Sequence, residues 1–319
     1  MKAAVYYENG GPEVFRYEDV PDPECQPQGV LLRVEAVSIE GGDVLNRAGG
    51  VLATTPHCVG YQAAGTIIEV GAEVSERAVG QRVATVFPFG SHAELRHVGW
   101  RQSFVIPDSL STEEASTIPI PFGTADDCLF EYGRLQKGET VLVQAGSSGV
   151  GLAAIQLAKR AGATVITTAS SDAKLERLQE LGVDHGIDYL RQDFVEEVKK
   201  ITDGRGVDVL VDGVGGEVTQ RGFEIVAYKG RTMMYGTVAR DFTKYNLDSM
   251  RMNRSITGVS LTPEFGTERV VDMIEGHFRD VAKGELRAIV DRSFPLAEAA
   301  AAHAYIESRK AFGRVLLTP

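Results

Sequence analysis

A glycine-rich turn set between a buried-strand pattern and an apolar helix constrains this chain more than any other feature. It lies in Val141–Lys159, VLVQAGSSGVGLAAIQLAK. Val141, Leu142 and Val143 make a short continuous apolar run, and Gln136-Lys137-Gly138-Glu139 before it reads as a turn. Gly146, Gly149 and Gly151 then form Gly-x-x-Gly-x-Gly, where missing Cβ atoms let the backbone turn sharply and let a diphosphate approach the main chain. The first N–H groups of the next helix, with a macrodipole equivalent to about half a positive charge, would face that anion. The spacing differs from the commoner Gly-x-Gly-x-x-Gly, and such a turn alone also serves as an ordinary strand–helix connection.

The residues C-terminal to this turn strengthen the dinucleotide reading. After the helix Leu152–Arg160 and Gly162, Thr164–Ala169 (TVITTA) is a second β-rich run, completing a βαβ unit. NAD-specific sites usually carry an acid at the end of that second strand, on the ribose 2′-hydroxyl. Here the strand leads into Ser170-Ser171-Asp172-Ala173-Lys174, two hydroxyls and a lysine around one carboxylate. Lys174 with Ser170 and Ser171 would hold a 2′-phosphate by charge-assisted hydrogen bonds, which favours NADPH over NADH. The alternative is that Ser171-Asp172 caps the helix starting near Ala173 and Lys174 is solvated.

Composition narrows the class. The 319 residues suffice for two domains, and 43% hydrophobic with 24% charged residues are the proportions of a globular chain. A formal charge of −11 argues against nucleic acid or an anionic membrane surface as partner. Cys25, Cys58 and Cys128 lie far apart, so neither a disulfide framework nor a Cys-x-x-Cys metal lobe is indicated. Met1–Gly10 lacks an apolar signal region and no run approaches membrane-spanning length, so a cytoplasmic protein is expected.

Up to Pro119 the pattern is short β-type runs, Lys2–Tyr7, Val30–Val37, Gly65–Val70 and Arg82–Phe87, separated by turn residues. Strands and helices then alternate: Val141–Gln144, Thr164–Ala169, helix Ala173–Leu181, His185–Ile187, helix Phe194–Thr202, Val207–Asp212, Arg231–Gly236 and Ser255–Leu261. Such alternation predicts a doubly wound parallel sheet. Leu286–Phe294 and Gly313–Leu317 are β-like again around a helix Leu296–Ser308, and Glu264–Phe278 reads as a helix. The expected organisation is a β-rich domain from residues 1–117 and 259–319, with a nucleotide domain of residues 118–258 between its halves.

Several motifs together carry a resemblance over essentially the whole chain. They include MKAAVYYENGGPEVFRYEDVPDPE at the start, GDVLNRAG at Gly42–Gly49, VGYQAAGTIIEVG at Val59–Gly71, GQRVAT at Gly80–Thr85 and KGETVLVQAGSSGVG at Lys137–Gly151. GVDHGIDY at Gly182–Tyr189, GRGVDVLVDGVGG at Gly204–Gly216 and GRTMMYG at Gly230–Gly236 complete the set. The chain resembles the zinc-independent medium-chain reductases of the quinone oxidoreductase (zeta-crystallin-like) family. The resemblance implies an α/β protein with a GroES-like β-rich catalytic domain and a doubly wound Rossmann sheet. It also implies a cleft in which NADPH delivers hydride to a quinone or an activated alkene. By the same resemblance, Gly146, Ser148, Gly149, Val150 and Gly151 match the diphosphate loop, and Ser170, Lys174 and Tyr189 the adenosine phosphate site. Asp212-Gly213-Val214 match the turn after the fourth strand, and Gly236 and Thr237 the nicotinamide-side turn. Tyr189 also reads as a partly exposed loop aromatic.

Zinc relatives need a Cys, a His–Glu pair and a further Cys or His, whereas this chain has Glu40, Tyr61, Gln62 and Pro121 at those places. A zinc ion wants about three protein donors and an open position, so no metal is expected. Without a Lewis acid the acceptor must already be electrophilic. An α,β-unsaturated carbonyl would take hydride at its β-carbon, the enolate oxygen would need hydrogen-bond donors, and the α-carbon would need a proton. The candidate catalytic residues are Tyr61, Glu40, Gln62 and Thr124, with Asp43, Phe87, Phe89 and Phe242 as further lining. Many relatives have Asn where Glu40 stands, a tyrosine near Val51 and an aromatic where Asp126 stands. Tyr61 or water therefore becomes the better candidate proton donor, although Tyr61 reads as readily as a simple wall residue, while Glu40 either steers a hydroxyl or caps a helix beginning near Asp43. Three functions stay open: an NADPH-dependent enone, enal or enoyl reductase, an NADPH:quinone oxidoreductase, and an NADPH-binding protein with little turnover. A homodimer is expected from the relatives, through the apolar edge strand Ser255–Leu261 unless Glu264–Phe278 covers it.

Overall fold

The structure, a computed structural model, describes residues 1–241 and 244–319, with the backbone alone at 247 and 249. The chain begins β1 (Lys2–Val5), β2 (Arg16–Asp19), β3 (Gly29–Ser38), α1 (Gly41–Gly49), β4 (Gln62–Val70), β5 (Arg82–Val86), β6 (Leu95–Gly99), β7 (Ser103–Val105), α2 (Thr112–Ala115) and α3 (Pro119–Asp126). It continues β8 (Thr140–Val143), α4 (Gly149–Arg160), β9 (Thr164–Ala169), α5 (Asp172–Gln179), β10 (His185–Asp188), α6 (Phe194–Ile201), β11 (Val207–Asp212), α7 (Gly216–Gly222), β12 (Val226–Met234) and β13 (Ser255–Gly258). It ends with α8 (Glu268–Ala282), β14 (Val290–Pro295), α9 (Ala299–Glu307) and β15 (Arg314–Thr318). These elements form two compact units, Met1–Gly123 with Thr262–Pro319, and Thr124–Leu261.

The second unit is built on a six-stranded sheet of order β10-β9-β8-β11-β12-β13. Every neighbouring pair is parallel. The strand order reverses between β8 and β11, which makes the carboxyl ends of those strands the switch point where open α/β sheets bind ligands. All four residues of β8 are buried, as expected of a parallel strand covered on both faces. Helix α4 is buried continuously from Gly149 to Ala158. Its small residues allow close packing, since a Cβ on Gly151 would stand 2.5 Å from the Ala145 carbonyl oxygen. Ile155 and Leu157 fill the space around it, each contributing about 1.5–3 kcal/mol by burial.

The first unit carries a seven-stranded sheet of order β14-β15-β3-β4-β5-β7, with β6 also paired to β3. Its core is a cluster that includes Leu32, Val34, Ile67, Val83, Val98 and Leu317. Both expected architectures, the GroES-like β-rich unit and the doubly wound parallel sheet, are therefore present.

Departures from the sequence reading are local. The edge strand expected over Ser255–Leu261 stops at Gly258, and the strand expected from Leu286 starts at Val290. The helix expected over Glu264–Phe278 begins at Glu268 because the Thr267 hydroxyl caps the Val270 N–H. That helix, α8, belongs to the first unit, where it packs against β7. Among the described residues, no helix is long and apolar enough to cross a membrane.

Candidate functional site

In the second unit the turn after β8 brings Gly146, Ser148, Gly149, Val150 and Gly151 together. Ala145 takes φ +55°, and its N–H donates to the Thr168 hydroxyl at 3.1 Å. The Gly146 N–H donates to the Thr168 carbonyl at 2.9 Å. A side chain at Gly146 would run into Thr167, whose Oγ1 is 2.1 Å from the position of a Cβ. Ser148 is the N-cap of α4: its hydroxyl accepts from the Gly151 N–H at 3.1 Å, and its carbonyl accepts from Leu152 at 2.9 Å. The amides of Gly149 and Val150 remain as first-turn donors without an intrahelical acceptor. This turn fits a diphosphate: it offers N–H donors at the positive end of a helix, with no Cβ on Gly146 or Gly149.

The ends of β9 and β10 hold the residues expected on the adenosine side. The Tyr189 N–H donates to the Ala169 carbonyl at 3.1 Å, and the ring is 37% exposed. Ser170 is half-buried where β9 ends. Ser171 caps α5 by accepting from the Lys174 N–H at 3.4 Å, while the Lys174 ammonium lies 3.4 Å from the Ser147 hydroxyl in the glycine-rich turn. Capping and a lysine directed at the nucleotide turn thus coexist. The helix starts at Asp172, one residue earlier than expected. Sequence reasoning missed Arg191, which pairs with Asp172 and Asp188; a cation two residues beyond Tyr189 was the available signal.

Two further turns are tied to one another. Buried Asp212, at the end of β11, accepts from the Val214 N–H at 2.7 Å and the Gly215 N–H at 3.4 Å, and also holds the Thr219 hydroxyl. Burial pushes its carboxyl up, against those hydrogen bonds. The Val238 N–H donates to the Gly213 carbonyl at 3.2 Å, which sets Gly236 and Thr237 beside Gly213. A Cβ on Gly213 would lie 2.4 Å from the Tyr235 ring, so the double turn admits only glycine there without rearrangement.

In the first unit the structure brings together Glu40, Asp43, Tyr61 and Gln62, from α1, β4 and the loops before them. The Glu40 carboxylate is 6% exposed, accepts from the Gln62 amide at 2.5 Å and is ion-paired with Arg314 of β15. The other end of Gln62 accepts from the Ile120 N–H at 3.0 Å. Asp43 accepts from the Glu40 N–H at 2.8 Å and the Tyr61 N–H at 3.1 Å. The helix-start hydrogen bond thus comes from Asp43, while the Glu40 side chain is engaged by Arg314 and Gln62. Burial pushes Glu40 up to about 8, with Arg314 opposing, and Asp43 up to about 7.

Tyr61 differs from these neighbours. Its ring lies against Gly42, where a Cβ would be 2.7 Å away, and its hydroxyl makes no hydrogen bond to the described residues. Burial and the nearby Asp43 and Glu40 charges raise its pKa, so it stays protonated at neutral pH. Arg96, fully buried on β6, fixes the flanking loops: its Nη2 donates to the carbonyls of Tyr61 at 3.0 Å and Phe87 at 3.2 Å. Phe87 and Phe89 meet edge to face at 4.9 Å. Thr124, 8% exposed, belongs to the second unit, Val51 is 83% exposed, and Asp126 is half-buried. Phe242 lies outside the described residues.

A zinc ion does not fit this donor set. Glu40 is held by a guanidinium and an amide, and Tyr61, Gln62 and buried Pro121 supply no thiolate or imidazole. No cluster of three or more His, Cys, Asp or Glu side chains able to hold a metal occurs among the described residues.

Comparison with known proteins supplies independent findings. Residues 26–108 match the alcohol dehydrogenase GroES-like domain and residues 149–276 match the zinc-binding dehydrogenase model. A 2-haloacrylate reductase from a Burkholderia species is 33% identical over 100% of this chain and 99% of that protein. A quinone oxidoreductase from Pseudomonas aeruginosa is 31% identical, covering 97% of both chains. The crystal structure of Escherichia coli quinone oxidoreductase complexed with NADPH superposes with a TM-score of 0.95 over 100% of both chains, at 26% identity.

Proposed function

The chain belongs to the medium-chain dehydrogenase/reductase family, in its quinone oxidoreductase-like group, and from that premise we propose how its own residues reduce an activated acceptor. It is an NADPH-dependent oxidoreductase acting without zinc on electrophilic small molecules. The acceptor proposed first is an α,β-unsaturated carbonyl compound.

Bound NADPH supplies the hydride. The Gly146–Gly151 turn holds the diphosphate through the Gly149 and Val150 amides, and Ser148 keeps the turn in shape by capping α4. Ser170, Lys174 and Tyr189 take the adenosine phosphate end, and Gly213, Gly236 and Thr237 take the nicotinamide end. Glu40 and Gln62 work as a scaffold, because the Glu40 carboxylate and both polar ends of Gln62 are already engaged. Thr124, of the second unit, is retained as a candidate catalytic hydroxyl.

The unengaged Tyr61 hydroxyl carries the alkene reading. A phenol kept protonated by its surroundings can donate to an enolate oxygen or to its α-carbon. Quinone reduction, favoured by the Pseudomonas relative, is the second reading. The test is to follow NADPH oxidation with acrylates, enals, enones and quinones, identify products by mass, and repeat with Tyr61→Phe. Alkene reduction should lose about 10²-fold in kcat, whereas quinone reduction, whose product oxygens take protons from water, should fall little. Equal turnover of alkenes by both proteins removes Tyr61 from the mechanism. Consumption of no acceptor would favour a binding protein.

The nucleotide-binding role is proposed for residues 118–258 and the catalytic role for 1–117 with 259–319. A cytoplasmic homodimer completes the reading. Its supports are three cysteines present as free thiols and a short edge strand, β13, that among the described residues pairs within its sheet only with β12.

A further inference from the structure

The register of β10 on β9 sets Asp188 against Ala169, which brings the loop after β10 beside the start of α5. Arg191 sits in that loop. Asp188, whose side chain is only 5% exposed, accepts from Arg191 Nε at 2.7 Å and from the Leu190 N–H at 3.0 Å, fixing the guanidinium in place. Nη2 is paired with Asp172, the first residue of α5, and Nη1 has no hydrogen bond to the described residues. Both ends of the Arg191–Asp172 pair are in solvent, at 59% and 65% exposure. The Lys174 ammonium, by contrast, is directed at Ser147 in the glycine-rich turn.

We propose that Arg191 recognises the 2′-phosphate of the phosphorylated cofactor, and that Asp172 is a latch which this phosphate displaces from the guanidinium. The proposal rests on the NADPH reading and assigns its selectivity to a particular pair. Asp172 alone, close to the strand end, would repel a dianion. Paired with Arg191 it is neutralised, and an exposed ion pair of this kind contributes little, so it exchanges readily. A phosphate can engage Nη1 and Nη2 together by charge-assisted hydrogen bonds. An unphosphorylated ribose offers only a neutral hydroxyl, which cannot compete with the carboxylate. The latch therefore stays closed toward NADH.

The test measures binding of 2′,5′-ADP and 5′-AMP by calorimetry to the full chain, to Arg191→Gln and to Asp172→Asn, with melting curves confirming the fold. Arg191→Gln should weaken 2′,5′-ADP by about ten-fold or more and leave 5′-AMP within about two-fold. Asp172→Asn should tighten 2′,5′-ADP by about three-fold, since the competitor and its repulsion are both removed. An unchanged ratio of the two ligands in Arg191→Gln, or weaker 2′,5′-ADP binding in Asp172→Asn, overturns the proposal. A wild-type chain that prefers 5′-AMP would sink the NADPH reading itself, and this proposal with it.

Discussion

Two buried carboxyls, Glu40 and Asp43, are raised by desolvation that the Arg314 charge, and for Asp43 also the Arg96 charge, only partly offsets, and that makes the first unit sensitive to pH. Asp43 has a folded pKa of about 7 against an ordinary 3.8, so the folded chain holds its proton where the unfolded chain has lost it. The associated stability is present in full below about pH 4 and is lost as pH rises through about 7. The unfolding free energy should therefore fall by on the order of 1–3 kcal/mol across that window from this group, and Asp43→Asn should flatten the decline. Urea denaturation at a series of pH values measures it; Glu40, raised to about 8, keeps its own share of the slope, so a slope undiminished by the substitution assigns the effect elsewhere. The identity of Glu40 was legible in the sequence, but its partner was not. Arg314 lies 274 residues away, and nothing local to either residue signals the pair. Arg96 was equally hidden, because an arginine in a mixed polar stretch reads as solvated until its acceptors, the Tyr61 and Phe87 carbonyls, are folded around it.

Strand–turn–helix units of the second sheet were the easiest elements to read. Thr164–Ala169 and Val207–Asp212 match the expected bounds because both are rich in β-branched residues and are bounded by turn residues. Strands β2 (RYED) and β6 (LRHVG) escaped, since polar and charged residues interrupt each and pairing rather than hydrophobicity defines them. Ser148 shows the same limit at a turn: the family resemblance marks it as a phosphate-loop residue, and only geometry shows its hydroxyl spent on the Gly151 N–H. The closest backbone packing in this element is at Gly151, facing the Ala145 carbonyl at 2.5 Å and Gly146 Cα at 2.8 Å from where a Cβ would stand. Both neighbours are backbone and cannot swing aside. Gly151→Ala should cost about 1–3 kcal/mol of stability and weaken NADPH binding at least ten-fold by pushing α4 off the turn. Fluorescence titration and thermal melts together check this, and normal NADPH affinity in a folded variant would refute the close-packing argument.

At the scale of the whole molecule, β13 is the feature that bears on assembly. It is four residues long, ends the six-stranded sheet and, among the described residues, pairs in that sheet only with β12. An edge of this kind offers unpaired main-chain groups to a symmetry mate. Sedimentation of the chain should give twice the 34.4 kDa mass, and Ile256→Lys on this strand should shift it toward the monomer. A wild-type monomer at micromolar concentration refutes the dimer. The ion pair between Arg314 and Glu40 carries one more consequence, for the order in which the polypeptide becomes native. Residues 124–261 form a contiguous unit that leaves the ribosome whole, whereas the first unit needs β14 and β15 to finish its sheet. Glu40 must wait until residue 314 has been synthesised before its counter-charge exists, so nascent protein carries a complete six-stranded unit ahead of an unfinished seven-stranded sheet.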